Sequence, residues 1–362
     1  MITNPFKFLD AYDKEDKDRF FGRNKETAQL FNAVHASGLV LLYGASGTGK
    51  TSLVNCGLAN RFQKTDWLPI FIRRGSDLNR SVLREIDKHT STQWKDDTPL
   101  RHRVKDLYLE TYRPVYLIFD QFEELYIMGT EAEQQQFHQS ISNLLQAGLQ
   151  CKILLIIREE YIAYLSEFEK VVPPLFDNRL RIEKMNDNNL SKVVLGTCRY
   201  GKIDVKKPKE TTGMILDNLR SPREGIDLTN LQVYLDRLWR RDLDRQGTQQ
   251  PDQVTFDPEL VKAVGPMQNV LSEFLDEQMR EIEIGLQKRG VKSPEGLPLE
   301  VLFTLVTEDG TKRSKDPVSI LEDMPRNRKL SATDLEFCLS EFERIKLLRR
   351  FAEEVGASPG EG

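Results

Sequence analysis

The sequence predicts an α/β fold, in which a parallel sheet with helices on both faces is followed by a helical domain and a winged-helix-like domain. Three observations lead to this prediction. Apolar runs alternate with helical patterns in the first half of the chain. These runs are apolar throughout, which is typical of parallel strands buried on both faces. After Pro173 and Pro174 the patterns become helical, with no strong strand.

Strands and the helices between them make up the first predicted domain, residues 1–175. The strands are predicted at residues 38–43, 67–74, 114–120 and 151–158. The helices are predicted at about residues 50–61, 79–89, 99–112 and 131–148. Because ligands of parallel sheets bind beyond the carboxyl ends of the strands, we expect the functional site at that edge.

Two further domains are predicted after the sheet. Residues 176–264 form a helical domain, since leucines recur at helical spacing from Leu228 to Leu238. Residues 241–257 are polar and rich in turn formers, so we expect a loop there. Residues 265–362 begin with an amphipathic linker helix and continue as helix, loop and helix. This order suggests a winged-helix domain.

The composition favours a cytoplasmic protein with a mixed, solvated surface. The 362 residues carry a formal net charge of −4, and 30% of them are charged, which does not indicate a basic nucleic-acid binder. No apolar run approaches the roughly 20 residues of a membrane-spanning helix, and the N-terminus has no apolar signal core. The four cysteines and four histidines are scattered, so we expect neither disulfides nor a zinc site.

Residues Gly44 to Thr51, GASGTGKT, match the phosphate-binding pattern GxxxxGK[ST] between a predicted strand and a predicted helix. In such a P-loop, backbone N–H groups wrap the phosphates, and the helix N-terminus points at the same oxygens. Lys50 is expected to reach the β- and γ-phosphates, and Thr51 to place its hydroxyl on magnesium. The sequence therefore predicts a P-loop NTPase with ATP or ADP and Mg²⁺ as cofactors. The predicted nucleotide-binding residues of this segment are Gly44, Ala45, Ser46, Gly47, Thr48, Gly49, Lys50, Thr51 and Ser52.

Charged residues end the third and fourth predicted strands. Asp120 stands where a Walker B carboxylate holds magnesium, mostly through water. Glu123 or Glu124 is expected to orient or deprotonate the attacking water; the alternative is that both are solvated acids at a helix start. Arg158 lies at the same sheet edge, where it is expected to sense the γ-phosphate. Its alternative role is an ion pair with one of the two glutamates that follow it.

Together these motifs resemble the STAND class of signalling NTPases, relatives of the NACHT and AP-ATPase proteins, and in particular the bacterial novel STAND branch. Residues 4–6, NPF, and 19–23, RFFGR, look like the opening signature of that branch. Residues 120–125, DQFEEL, resemble its extended Walker B motif, for which the NACHT form is DGFDEL. The residues that this resemblance implies to lie against the base and sugar of the nucleotide are Phe21, Gly22 and Arg23.

The sequence departs from this family at two places. Family members often carry a proline in the helical domain that touches adenine, but residues 227–230 read DLTN. The winged helix of the class usually ends in a histidine motif that contacts the bound diphosphate, and no histidine follows His138. The resemblance therefore leads us to expect that the chain is cut inside or just after its third domain. Since STAND proteins combine an effector, an NTPase switch and a sensor, the resemblance implies that effector and sensor domains lie outside this chain.

The leading hypothesis is a nucleotide-dependent signalling switch with slow ATP hydrolysis, which acts in bacterial defence or signal transduction and self-associates when an unknown trigger activates it. The alternative is a DNA-linked AAA+-type ATPase, whose winged helix would need a basic recognition helix. The basic residues of the third domain lie in predicted loops or alternate with acids. We therefore expect nucleotide as the partner, and neither nucleic acid nor a membrane. A third hypothesis, a P-loop scaffold that no longer hydrolyses, is disfavoured because Lys50, Thr51, Asp120 and Glu123 are all present.

Overall fold

The chain divides into two compact units in a computed structural model, one ending at Ala263 and one beginning at Val264. The residues that the structure describes are 4–221, 225–247, 253–306, 313, 315–325, 328, 330–345, 347, 348 and 350. Among these residues, no helix is both long and apolar enough to span a membrane.

The first unit is built on a five-stranded parallel sheet. Its strands are β1 (Leu39–Gly44), β2 (Leu68–Ile72), β3 (Val115–Phe119), β4 (Cys151–Arg158) and β5 (Arg179–Arg181). They lie in the order β2-β3-β4-β1-β5, so β4 separates the strand that leads into the P-loop from the strand that leads to Asp120. The predicted parallel sheet is confirmed.

The fifth strand is a correction to the sequence prediction. Residues 177–245 were expected to contain no strong strand, yet Arg179–Arg181 pairs with β1 along its outer edge. The strand was missed because it has three residues, two of them exposed arginines, and carries no apolar pattern. It closes the sheet beside the P-loop.

Helices cover both faces of the sheet, as predicted. They are α1 (Asn24–Ala36), α2 (Lys50–Ser52), α3 (Leu78–Asp87), α4 (Leu100–Thr111), α5 (Glu124–Met128), α6 (Glu131–Gln146) and α7 (Ser166–Val171). On one face α3, α4, α6 and α7 bury an apolar core with the strands. On the other face, α1 and the π-helical segment Leu53–Leu58, which continues from α2, bury a second core around Leu30 and Leu53. Because β1, β3 and β4 are buried on both faces, the sheet is a rigid base for the loops at its carboxyl edge.

The rest of the first unit is mostly helical. Its helices are α8 (Asp187–Tyr200), α9 (Pro208–Leu219), α10 (Leu228–Gln246) and α11 (Pro258–Val264), and its strands are β6 (Asp204–Val205) and β7 (Thr255–Phe256). The loop predicted at 241–257 is therefore too long, since helix α10 continues to Gln246. Asp242 sustains the helix there, because its buried carboxylate accepts hydrogen bonds from the Arg245 and Gln246 side chains and from the Thr255 N–H.

The second unit is helical as far as it is described. Its helices are α12 (Met267–Lys288), α13 (Leu297–Thr304), α14 (Pro317–Asp323) and α15 (Ala332–Arg344). They share one apolar core that includes Leu286, Val301 and Phe342. The sequence places the loop of the third domain at residues 307–316 and the start of a strand after Leu348, and both fall largely outside the described residues. The winged helix therefore stays a prediction, as do the two boundaries between the three predicted domains.

Candidate functional site

The P-loop leaves β1 at Gly44 and enters α2 at Lys50, at the carboxyl edge of the sheet. Gly44 approaches β5 so closely that a Cβ at this position would lie 2.3 Å from the carbonyl oxygen of Ile182. Gly49 caps α2 with φ +83°, in the left-handed region that glycine adopts without strain. These two glycines fold the segment back over the first turn of the helix.

Lys50 is directed into the loop that precedes it. Its Nζ donates to the carbonyl oxygens of Gly44, at 2.7 Å, and Ala45, at 2.8 Å. The Thr48 hydroxyl also donates to Ala45, at 2.9 Å, whereas Ser46 is exposed at the tip. Burial lowers the pKa of Lys50, and the nearby Glu123 carboxylate opposes this effect. The cation is thus held inside the loop that the sequence predicts to bind phosphate.

Thr51 and Asp120 meet at a distance that suits a hard divalent cation. The Thr51 hydroxyl donates to Asp120 Oδ1 at 2.9 Å, which leaves the lone pairs of the Thr51 oxygen available to a ligand. The Asp120 side chain is only 7% exposed, and a buried carboxylate requires a positive partner. Since Mg²⁺ prefers carboxylate, hydroxyl and water oxygens, these two residues fit it.

The structure brings Glu123 and Arg158 together across neighbouring strands. Arg158 Nε lies 3.0 Å from Glu123 Oε1, and the Arg158 backbone N–H donates to Oε2 at 3.3 Å. Glu123 is 3% exposed, and this burial raises its pKa above the ordinary value, against the smaller opposing effects of backbone N–H groups and Arg158. Glu124 is half-buried at the start of α5, where its N–H donates to the carbonyl oxygen of Gln121. Arg158 thus pairs with Glu123, a partner that was not considered from the sequence.

The segment predicted to contact the base braces the P-loop. The buried Arg23 guanidinium donates to the carbonyl oxygens of Thr48 and Glu183, each at 2.9 Å. Phe21 packs on α8, where a Cβ on Gly196 would lie 2.7 Å from its ring. Gly22 has φ +83° and packs closely against Met185. Direct contact of these residues with a nucleotide stays a prediction.

Ser52 connects the P-loop helix to the N-terminal segment. Its Oγ accepts a hydrogen bond from the Tyr12 N–H at 3.1 Å. The N-terminal segment also contacts α10, because Asn4 Nδ2 donates to Asp236 Oδ1 at 2.5 Å. The N-terminal segment thus contacts the helix after the P-loop as well as helices α8 and α10.

Two residues of the site were missed from the sequence. Arg73, directly after β2, donates through Nε to Asp120 Oδ2 at 2.9 Å. Asp227, at the start of α10, lies against the P-loop, because a Cβ on Gly47 would be 1.6 Å from its Oδ2. The sequence carried only weak signals for these two residues. Arg73 follows a predicted strand, and Asp227 has the position of an N-cap before a leucine pattern.

Sequence comparison gives one family. The family model described as Novel STAND NTPase 1 matches residues 5–325, which is nearly the whole chain. No curated protein matches the chain.

Solved structures share the fold at low sequence identity. A Walker-type ATPase of Pyrococcus abyssi is 16% identical with a TM-score of 0.51, and the alignment covers 94% of this chain and 93% of that one. The ORC2 protein of Aeropyrum pernix, solved in ADPNP–ADP complexes, is 14% identical with a TM-score of 0.52, over 90% of this chain and 95% of that one. At this identity the likeness concerns the fold alone.

Proposed function

The chain belongs to the Novel STAND NTPase 1 family, and from this premise we propose that it is the nucleotide-dependent switch of a multidomain STAND protein. It binds ATP or ADP with Mg²⁺ and hydrolyses ATP slowly. The effector and sensor domains lie outside this chain, and an unknown trigger leads to self-association in bacterial defence or another signalling process.

The observation that carries this proposal is the ion pair between Glu123 and Arg158 beside the P-loop lysine. A general base must have a free lone pair within hydrogen-bond reach of the attacking water. Both carboxylate oxygens of Glu123 are bonded to Arg158, through the guanidinium and the backbone N–H. These contacts use two of its about four lone-pair sites, so the attacking water competes with the Arg158 guanidinium until that group turns from Glu123 towards the γ-phosphate. This extra step favours slow turnover, which suits a switch because rapid hydrolysis would end its own signal.

The remaining roles follow from charge and position. Lys50 binds the β- and γ-phosphates when it leaves the loop carbonyls, and the P-loop N–H groups hold the other phosphate oxygens. Thr51 and Asp120 hold Mg²⁺, which neutralises charge on the phosphates. Because ADP lacks the γ-phosphate, only ATP draws Arg158 away from Glu123. This difference in contacts between the two nucleotides is what a switch requires.

A matched pair of lysine variants tests the proposal. We expect the purified wild-type chain to bind ADP and ATP, and its single-turnover hydrolysis to be slower than the roughly 1–10³ per second of typical enzymes. Lys50→Ala should abolish nucleotide binding, measured by isothermal titration calorimetry. Lys64→Ala, at an exposed lysine in the same unit, is the control and should bind as the wild type does.

Two results would contradict the proposal. Unchanged nucleotide affinity in Lys50→Ala would remove the P-loop assignment. Hydrolysis at many turnovers per second without any trigger would leave the binding site in place but exclude a slow regulatory switch.

A further inference from the structure

Arg73 makes a bidentate contact with a carboxylate that the proposed magnesium site needs. Its Nε lies 2.9 Å from Asp120 Oδ2, and its Nη2 bonds to the same oxygen. Asp120 Oδ1 accepts the Thr51 hydroxyl. Hydrogen bonds thus connect Arg73 to Asp120 and Asp120 to Thr51. They run from the carboxyl ends of β2 and β3 to the first turn of the helix after the P-loop.

The neighbouring residues direct Arg73 to this position. The Asp120 N–H donates to the carbonyl oxygen of Ile72 at 2.9 Å, so the pairing of β2 with β3 continues up to Arg73. Arg74 forms a buried ion pair with Glu133 on α6, with Nε–Oε1 at 2.9 Å and Nη2–Oε2 at 2.8 Å. Since successive side chains of an extended segment point to opposite sides, anchoring Arg74 on α6 turns Arg73 towards Asp120.

The contacts use most of the hydrogen-bonding capacity of Asp120. An ionised carboxylate has about four lone-pair sites. Thr51 takes one site on Oδ1, and Arg73 takes two on Oδ2. The guanidinium also neutralises the charge that attracts a divalent cation. One site on Oδ1 is left, and a cation or water ligand that binds Oδ2 has to displace Arg73 from that oxygen.

We propose that Arg73 is a positioning residue that competes with the divalent cation for Asp120 and so lowers the cation affinity of the nucleotide site. This inference rests on the proposed function, because it requires nucleotide and cation to bind here. Arg73 forms an ion pair with the buried Asp120 carboxylate and holds its orientation. Arg73 would release Asp120 when a cation binds with the phosphates. The Arg73 side chain is 43% exposed and has room to move into solvent.

The test separates cation binding from nucleotide binding and from turnover. ADP affinity of the full chain is measured first in EDTA, by calorimetry. Mn²⁺ is then titrated into the ADP-saturated protein, and the free Mn²⁺ is read from its electron paramagnetic resonance signal. Arg73→Gln should bind Mn²⁺ roughly tenfold more tightly than wild type, while ADP affinity in EDTA changes little.

Two further variants complete the experiment. Arg84→Gln is the matched control, because Arg84 is 47% exposed and pairs with Glu85 on the surface of α3, and its Mn²⁺ affinity should equal that of wild type. Arg73→Lys keeps the charge but loses the planar fork, so it should lie between wild type and Arg73→Gln. It also provides a reading if Arg73→Gln does not fold.

The outcomes are distinct. Tighter Mn²⁺ binding in the Arg73 variants alone supports the competition. Equal or weaker Mn²⁺ binding in a variant that still binds ADP overturns it and leaves the proposed function standing. A wild-type chain that binds no ADP overturns both.

Discussion

At the scale of single residues, Glu123 is a buried carboxylate that forms an ion pair with Arg158. The carboxylate is almost fully buried, so its charged form costs free energy that the ion pair with Arg158 only partly offsets. A raised pKa in the folded state means that the folded chain binds the proton more tightly than the unfolded chain does. The free energy of unfolding therefore falls as pH rises from the ordinary value of 4.5 towards the raised pKa, and the loss persists at neutral pH.

Replacing Glu123 should separate activity from stability. We expect Glu123→Gln to lower single-turnover hydrolysis by about 10²–10⁴-fold while ATP still binds, because the amide cannot accept the proton. The same variant should raise the thermal midpoint at pH 7, since it removes a desolvated charge. Glu124→Gln is the control. If Glu124→Gln abolishes hydrolysis and Glu123→Gln does not, the wrong acid has been assigned.

Gln121 adopts a left-handed conformation, with φ +58°, between Asp120 and Phe122. This residue turns the chain out of β3, after which the Phe122 N–H donates to the carbonyl oxygen of Ile156 on β4. The turn is what brings Glu123 opposite Arg158. A side chain in this region costs about 1 kcal/mol, and glycine, which the related DGFDEL motif has here, avoids the cost.

The variant Gln121→Gly should therefore be neutral or stabilising, by up to about 1 kcal/mol in chemical denaturation. The control is Gln135→Gly on the exposed face of α6, where the backbone is right-handed and glycine should cost about 1 kcal/mol. Equal destabilisation by both variants would show that Gln121 is not strained in solution.

At the scale of elements, the start of α10 is joined to the P-loop. The Leu228 N–H donates to the carbonyl oxygen of Gly47 at 3.0 Å, and Asp227 Oδ1 caps the helix by accepting from the Thr229 N–H at 2.7 Å. Asp227 also lies against Gly47, whose φ of +69° and missing side chain allow the contact. A negative charge therefore sits on the outer surface of the loop proposed to bind phosphate.

Removing that charge should strengthen triphosphate binding. Asp227→Asn keeps the cap, because Asn and Asp cap helices about equally well, so stability should change little. ATP affinity should rise roughly three- to tenfold, and ADP affinity by less, since fewer negative charges are involved. Asp77→Asn, which alters the corresponding cap of α3, is the control and should leave both affinities unchanged. Unaltered ATP affinity in Asp227→Asn would mean that solvent screens the charge.

At the scale of the whole molecule, charge distinguishes the switch from a DNA-linked ATPase. The chain has a net charge of −4. Several basic residues of the second unit are paired with acids, as Arg328 is with Glu300 and Arg344 with Glu341. Each such pair offsets a positive charge that would otherwise attract a phosphate backbone.

We therefore expect no specific, salt-dependent binding to duplex DNA. Fluorescence anisotropy with a labelled duplex at about 50 and 200 mM salt measures this directly, since each phosphate contact steepens the salt dependence. A steep fall in affinity between these conditions would favour the AAA+-type alternative. It would leave the nucleotide site unaffected.

The sequence by itself determined the features that are encoded in neighbouring residues. Continuous apolar runs predicted strands β1 to β4 to within about two residues, and glycine spacing between a strand and a helix predicted the P-loop. Asp120 and Arg158 were placed at the carboxyl edge by the strands that they follow. These signals are local, because burial on both faces and the geometry of a tight turn act on consecutive residues.

Only the tertiary structure decided how those residues pair. The short polar strand β5 exists because β1 offers an open edge, and nothing in its own three residues indicates a strand. Arg73 reaches Asp120, Arg158 reaches Glu123 and Asp227 reaches Gly47 across long stretches of chain. Each contact depends on which elements lie side by side, and that depends on the packing of the whole sheet and its helices. The pairing of positive and negative side chains in the site is therefore decided by the tertiary structure.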